Sequence, residues 1–284
     1  MKFFYIIFSF IIIFSSYCSF ADVNFKGKKV LITGASSGIG YATALELSKH
    51  GADIVFTYNT NKKGAEELIK EIKAHNGKVK AIKFDFAYEN EKDIEKLIND
   101  AVSFLSGLDI LINNAGIVDR TSSLNITNKE LKNIFQINCH APFILSKYFI
   151  NYQLKTQQNK PLLEEDLPRI ITVTSLSIHH TKKNMILYEA SKSALLKLFE
   201  NLSVEFARNV VITMVSPGST LTEINRNYPD VHNTPKEQRA KRVPSGVVYE
   251  PTDMAKAIIN ILQLPGAHGS EIILGGGRHL SDAF

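Results

Sequence analysis

The chain has 284 residues, 44% apolar and 21% charged, close to ordinary globular usage, which excludes wholesale disorder, collagen and coiled coil. Its 33 Lys and Arg exceed the 28 Asp and Glu by five, an excess too small and too scattered to argue for a nucleic-acid partner. Two cysteines, Cys18 and Cys139, exclude a disulfide scaffold and a multi-cysteine metal site, and no metal is expected.

Lys2 is followed by nineteen uncharged residues, 3–21, rich in aromatic and β-branched side chains, with Ser19 and Ala21 placed as the small residues of a cleavage site. Residues 1–21 therefore read as a signal peptide or an N-terminal membrane anchor, and 22–284 as one domain. Either reading carries the domain across a membrane: secreted, periplasmic, in an organelle lumen, or anchored, with membrane contact only through 1–21. A mis-called start on a cytoplasmic protein is the third reading. Without the leader, Cys139 is the single cysteine.

Beyond the leader, short apolar runs alternate with helical patterns. Residues 30–33 predict a strand, followed by a glycine-rich turn and an amphipathic helix that Gly51 closes. Residues 53–58 predict the second strand. Asn61 opens a helix with Ala65, Leu68, Ile69 and Ile72 on one face, stopped near Gly77. Further strands are expected at 78–84, 108–113, 169–174, 210–215 and 271–274. Runs that are apolar throughout suit strands buried on both faces, so the expected fold is a doubly wound α/β domain with a seven-stranded parallel sheet. Segments 128–152 and 188–209 predict helices apolar around most of their circumference, with one face for the sheet and the other for a second subunit. Segments 153–167 and 219–248 are irregular.

The first strand runs into Thr33-Gly34-Ala35-Ser36-Ser37-Gly38-Ile39-Gly40 and then a helix. Glycines there permit a tight turn and close approach of a pyrophosphate to the helix N-terminus, although the spacing is not the commoner Gly-x-Gly-x-x-Gly. Asn113-Asn114-Ala115-Gly116 ends the fourth strand, Ser175 follows the fifth, and Tyr188-Glu189-Ala190-Ser191-Lys192 opens a helix. Tyr188 and Lys192, at i and i+4, share a helical face. A phenol ionises near pH 10, so acid/base work near neutrality needs a lowered pKa, and an adjacent ammonium would supply it. Ser175 would hold the developing oxyanion by a hydrogen bond.

These motifs, in this order and spacing over about residues 25–280, resemble the short-chain dehydrogenase/reductase family. The resemblance implies an NAD(P)-dependent enzyme acting on CH–OH and C=O groups, with Asn138, Ser175, Tyr188 and Lys192 as catalytic residues. Asn138 would position a water leading from the lysine. The cofactor residues implied are Gly34, Ser36, Ser37, Gly38, Ile39 and Gly40 at the turn, Tyr58 at the end of the second strand, and Asp85 and Phe86 after the third. Asn114 and Gly116 follow at the adenine ribose, then Tyr188 and Lys192, with Pro217, Gly218, Thr220 and Thr222 at the nicotinamide. The second strand ends on Tyr58 with no carboxylate, and Lys62 and Lys63 follow, which favours NADP; NAD is the second reading. Ser37 stands where the family's NADP users often carry a basic residue.

The resemblance implies a small carbonyl or alcohol substrate, with 3-oxoacyl thioester, steroid and pterin as the classes to separate. His179 and His180 follow Ser175, and segment 219–248 resembles the family's mobile substrate loop, with Arg226, Tyr228, His232, Arg239 and Arg242 in it. The last glycines, Gly275-Gly276-Gly277, lead into Arg278 and His279. A homodimer or homotetramer is expected. The alternative from another class is a catalytically silent NAD(P)-binding sensor or scaffold.

Overall fold

Seven apolar runs form the strands β1 (Lys29–Ile32), β2 (Asp53–Tyr58), β3 (Val79–Lys83), β4 (Ile110–Asn113), β5 (Arg169–Val173), β6 (Val211–Pro217) and β7 (Glu271–Leu274). They make one sheet in the order β3-β2-β1-β4-β5-β6-β7, and every neighbouring pair is parallel. This is the expected doubly wound architecture. The computed structural model describes residues 23–88, 90–157 and 163–280. The expected leader, 1–21, lies outside the described residues. Among the described residues no helix is long and apolar enough to cross a membrane.

Nine helices connect the described strands: α1 (Gly38–Lys49), α2 (Lys62–Ala74), α3 (Glu91–Leu105), α4 (Asn128–Phe135), α5 (Ala141–Gln157), α6 (Ile186–Glu205), α7 (Pro229–His232), α8 (Lys236–Ala240) and α9 (Pro251–Gln263). Because side chains alternate across a strand, β1 sends Leu31 to one face and Val30 and Ile32 to the other. Leu31 joins Leu111, Ile170 and Ile212 under α3, α5 and α6, around Phe149 and Phe199. Val30 and Ile32 join Ile54, Phe56 and Ile112 under α1, α2 and α9, around Leu47, Leu68 and Ile258.

The single helix expected over 128–152 is two helices joined by a π-helical turn, Gln136–His140. The cause is Pro142: it has no N–H to give the carbonyl of Asn138 four residues earlier, and its ring crowds that carbonyl. The chain takes a wider turn instead, with the Ala141 N–H reaching the Gln136 carbonyl. Segment 219–248, expected to be irregular, carries the short helices α7 and α8 and is tied at its ends by a bridge between Thr220 and Tyr249.

Candidate active site

The helices after β1 and β4 lie on opposite faces of the sheet, which opens a crevice at the carboxyl ends of the strands. There a cavity of about 770 Å³ runs from Tyr58, the last residue of β2, and Thr60 beyond it, past the β1–α1 turn to Ser175 and Tyr188.

The turn has the geometry its glycines allow. Gly34 (φ +66°) and Gly38 (φ +60°) occupy the left-handed region. A side chain on Gly34 would lie 2.9 Å from Ala115 Cα. Ser37 is the N-cap of α1, yet its side chain caps nothing, so the first N–H groups of the helix are left for a ligand. Asn114 braces the turn: its Nδ2 donates to the carbonyls of Thr33 and Gly34, both at 3.0 Å. Asn61 does the same from α2, donating to the Ser36 carbonyl at 2.8 Å while accepting from the Gly64 N–H at 3.0 Å.

Ser175, Tyr188 and Lys192 meet on one wall of the cavity. Burial pushes the Tyr188 phenol above its ordinary range, against the Ser175 hydroxyl and the Arg120 guanidinium, which pull it down. Burial also pushes Lys192 down to about 8, and its ammonium donates to the Val173 carbonyl at 2.8 Å. The lowered phenol expected from the Tyr188–Lys192 spacing is therefore not what the geometry gives. Removal from water outweighs Ser175 and Arg120, and the Lys192 ammonium is directed at the Val173 carbonyl.

Asn138 is fully buried behind this wall rather than in it. Its Oδ1 accepts the Ile117 N–H at 2.9 Å, and its Nδ2 donates to the Ile117 carbonyl at 2.9 Å and to Ser191 Oγ at 3.1 Å. A Cβ on Gly116 would sit 3.2 Å from Asn138 Oδ1 and 3.4 Å from Lys192 Nζ, so these three residues adjoin.

The cavity brings together Gly34, Ser36, Ser37, Gly38, Ile39, Tyr58, Asp85, Phe86, Asn114 and Gly116 with Pro217, Gly218, Thr220 and Thr222. Gly40 is not among its walls. It is buried, and a side chain there would collide with the Asn114 amide and lie 2.7 Å from the Gly34 carbonyl, so its part is packing. Lys62 and Lys63 are not in the wall either. They are exposed and face Glu66 and Glu67 of their own helix, at 3.5 and 3.8 Å. The basic side chain at that end comes from the loop after β6: Arg226 donates to Thr60 Oγ1 at 3.3 Å and lines the cavity. His179 turns away to Glu271 at 2.8 Å, whereas His180 lines the cavity. Arg120, Lys182 and Arg278 also line it. Nothing in their local sequence marks the first two, which become neighbours only through the fold.

The short chain dehydrogenase family profile matches residues 28–232. The chain belongs to that family. It is an NAD(P)-dependent oxidoreductase with the dehydrogenase fold on which such sites are built. The chain is 27% identical over 82% of its length to 2-dehydro-3-deoxy-D-gluconate 5-dehydrogenase of Formosa agariphila, covering 85% of that protein. It is 28% identical over 90% of its length to L-rhamnose 1-dehydrogenase (NADP(+)) of Thermoplasma acidophilum, covering 97% of it. Among solved structures, a short chain dehydrogenase from Burkholderia cenocepacia in complex with NADP superposes with a TM-score of 0.77 at 27% identity, over 89% of this chain and 98% of that one.

Proposed function

We propose that the chain is an NADP-dependent oxidoreductase that moves a hydride between nicotinamide and a carbonyl or secondary-alcohol carbon, with Tyr188 as general acid/base. The observation that carries this reading is the meeting of Ser175, Tyr188 and Lys192 on one wall of a cavity that also reaches the uncapped N-terminus of α1. The glycine turn, where a Cβ would fill the space, and those free N–H groups fit a pyrophosphate.

NADP, when bound, supplies or accepts the hydride. Ser36, Ser37, Gly38 and Ile39 would hold its pyrophosphate, and Asp85, Phe86, Asn114 and Gly116 its adenosine. Pro217, Gly218, Thr220 and Thr222 would hold the nicotinamide, with Lys192 on the ribose. On reduction Tyr188 gives its phenolic proton to the carbonyl oxygen, and on oxidation it takes the hydroxyl proton. Ser175 donates a hydrogen bond to that oxygen. Asn138 keeps the α4–α5 junction against Ile117 and Ser191, behind Lys192.

NADP is preferred over NAD because β2 ends on Tyr58, not on an acid, and Arg226 bonds Thr60 beside it. The NADP in the name of the rhamnose dehydrogenase and in the Burkholderia structure supports the same choice. Two relatives are named for a deoxygluconate and for rhamnose, so sugars and sugar acids belong in the test panel beside 3-oxoacyl thioesters, ketosteroids, quinones and dihydropterins. The test is cofactor oxidation by the purified chain across that panel. NADPH should exceed NADH by about tenfold or more in kcat/KM, and Arg226→Gln should bring that ratio toward one. NADPH binding with no turnover of any carbonyl would return the silent-sensor reading.

A further inference from the structure

Around Tyr188 the cavity carries more positive charge than hydride transfer requires. Arg120, Lys182, Arg242 and Arg278 all line it. They come from four separate segments: after β4, between β5 and α6, between β6 and α9, and after β7. The half of the sheet that holds them, β4 to β7, lies away from the β2 end where Arg226 meets Thr60. Among the described residues none of the four makes an ion pair.

Nearby acids do not pair with them directly, though Glu189 acts on Lys182 and Arg120 through space. Glu189 accepts the backbone N–H of Lys182 at 3.2 Å, not its ammonium. Of the acids that line the cavity, Asp85 accepts from the Ala87 N–H at 3.0 Å and Glu223 faces His232 at 3.8 Å. Arg120 spends its guanidinium on a neutral amide, Asn225 Oδ1, at 3.1 Å.

The crowding is felt. Lys182 is pushed down to about 8, by burial first and then by Arg278, Arg120 and Arg242, with Glu189 opposing. Arg278 is lowered by burial and by Arg242. His180 is held at about 4, by burial and then by Lys182 and Arg278, so it is neutral at pH 7 and adds no charge. Glu189 offsets only part of this repulsion between partly buried like charges, and an incoming anion lowers its cost.

We propose that the substrate carries an anionic group, a carboxylate or a phosphate ester, seated among Lys182, Arg242 and Arg278 while its carbonyl or carbinol carbon faces Ser175 and Tyr188. This names the substrate class of the oxidoreductase site proposed above and rests on that reading. Arg120 fixes the loop after β6 and adds its charge from the side.

The test has a binding arm and a turnover arm, both with the full chain and saturating NADPH. In the first, malonate and inorganic phosphate are titrated while the fluorescence of bound NADPH is followed, with Tyr188→Phe included to remove chemistry. At least one anion should bind, and Lys182→Gln with Arg278→Gln should weaken it by about tenfold or more. Arg278→Lys, which keeps the charge, should retain most of the affinity and serves if the double variant fails to fold. Malonate binding more tightly identifies a carboxylate, and phosphate binding more tightly a phosphate ester. In the second arm, levulinate is compared with levulinamide, and dihydroxyacetone phosphate with dihydroxyacetone. The anion of at least one pair should lead by about tenfold in kcat/KM, and Arg278→Gln should shrink that lead. Neither anion binding, binding indifferent to the charge variants, or neutral carbonyls turned over as well as their anionic partners would overturn the proposal. Anion binding through Lys182 and Arg278 without reduction of any carbonyl would instead remove the oxidoreductase reading and leave the anion site standing.

Discussion

Tyr188 and Lys192 share one wall, and burial moves both toward their neutral forms, the phenol upward and the ammonium down to about 8. A phenol held above its ordinary range is protonated at pH 7, the state needed to give a proton to a carbonyl oxygen. Alcohol oxidation needs the phenolate, which becomes populated only as pH rises. The oxidation rate should therefore climb from neutral to alkaline pH while carbonyl reduction does not, as kcat/KM profiles in the two directions would show. Ser175, Tyr188 and Lys192 were legible in the sequence because a strand end and an i, i+4 helical face fix their places locally. Arg120, Lys182 and Arg278 were not, since their proximity depends on how three distant segments fold. Lys62 and Lys63 carry the opposite lesson. Glu66 and Glu67 follow each at i+4, and a first-turn lysine so paired is held along its own helix. Gly40 is held to glycine by space. A methyl group there meets Asn114 and the Gly34 carbonyl, so Gly40→Ala should cost about 1–3 kcal/mol in chemical denaturation.

Among the elements, the strands and the order of α/β alternation could be read from apolar runs, whereas the break between α4 and α5 could not. The apolar pattern continues across 136–140, and only the missing N–H of Pro142 sets the wider turn that seats Asn138 behind Lys192. Helix α3 lacks a marker motif, but Ile94, Leu97, Ile98 and Ala101 form its buried stripe and Asn90 its cap. The expected opening of α2 at Asn61 is matched, and the same amide grips the Ser36 carbonyl in the turn between β1 and α1. Asn61→Ala removes a cap and that brace together. It should cost about 1–2 kcal/mol of stability and weaken NADPH binding, measured by unfolding and by fluorescence titration on the same variant.

At the scale of the molecule, one cavity runs across the carboxyl ends of the strands: the proposed dinucleotide residues extend along it from the turn after β1 to the loop after β6, and the basic side chains of the proposed substrate site gather at its β4–β7 end. The modest net charge of the whole chain conceals the local excess at that end, because composition averages over a surface that the fold divides. Helices α5 and α6 bury Phe149 and Phe199 against the sheet, while Val204 and Leu154 face outward. We propose that these outer faces pair two or four copies, and light scattering after gel filtration should give a mass of a dimer or tetramer. In the proposed reaction Tyr188 moves the proton while the rest of the cavity holds the ligands. The measurement that tests it most directly is steady-state NADPH oxidation by Tyr188→Phe beside its NADPH affinity. Turnover should fall by about 10²–10⁴-fold with affinity changed by no more than about twofold. Turnover kept within about tenfold of the unaltered chain would contradict it.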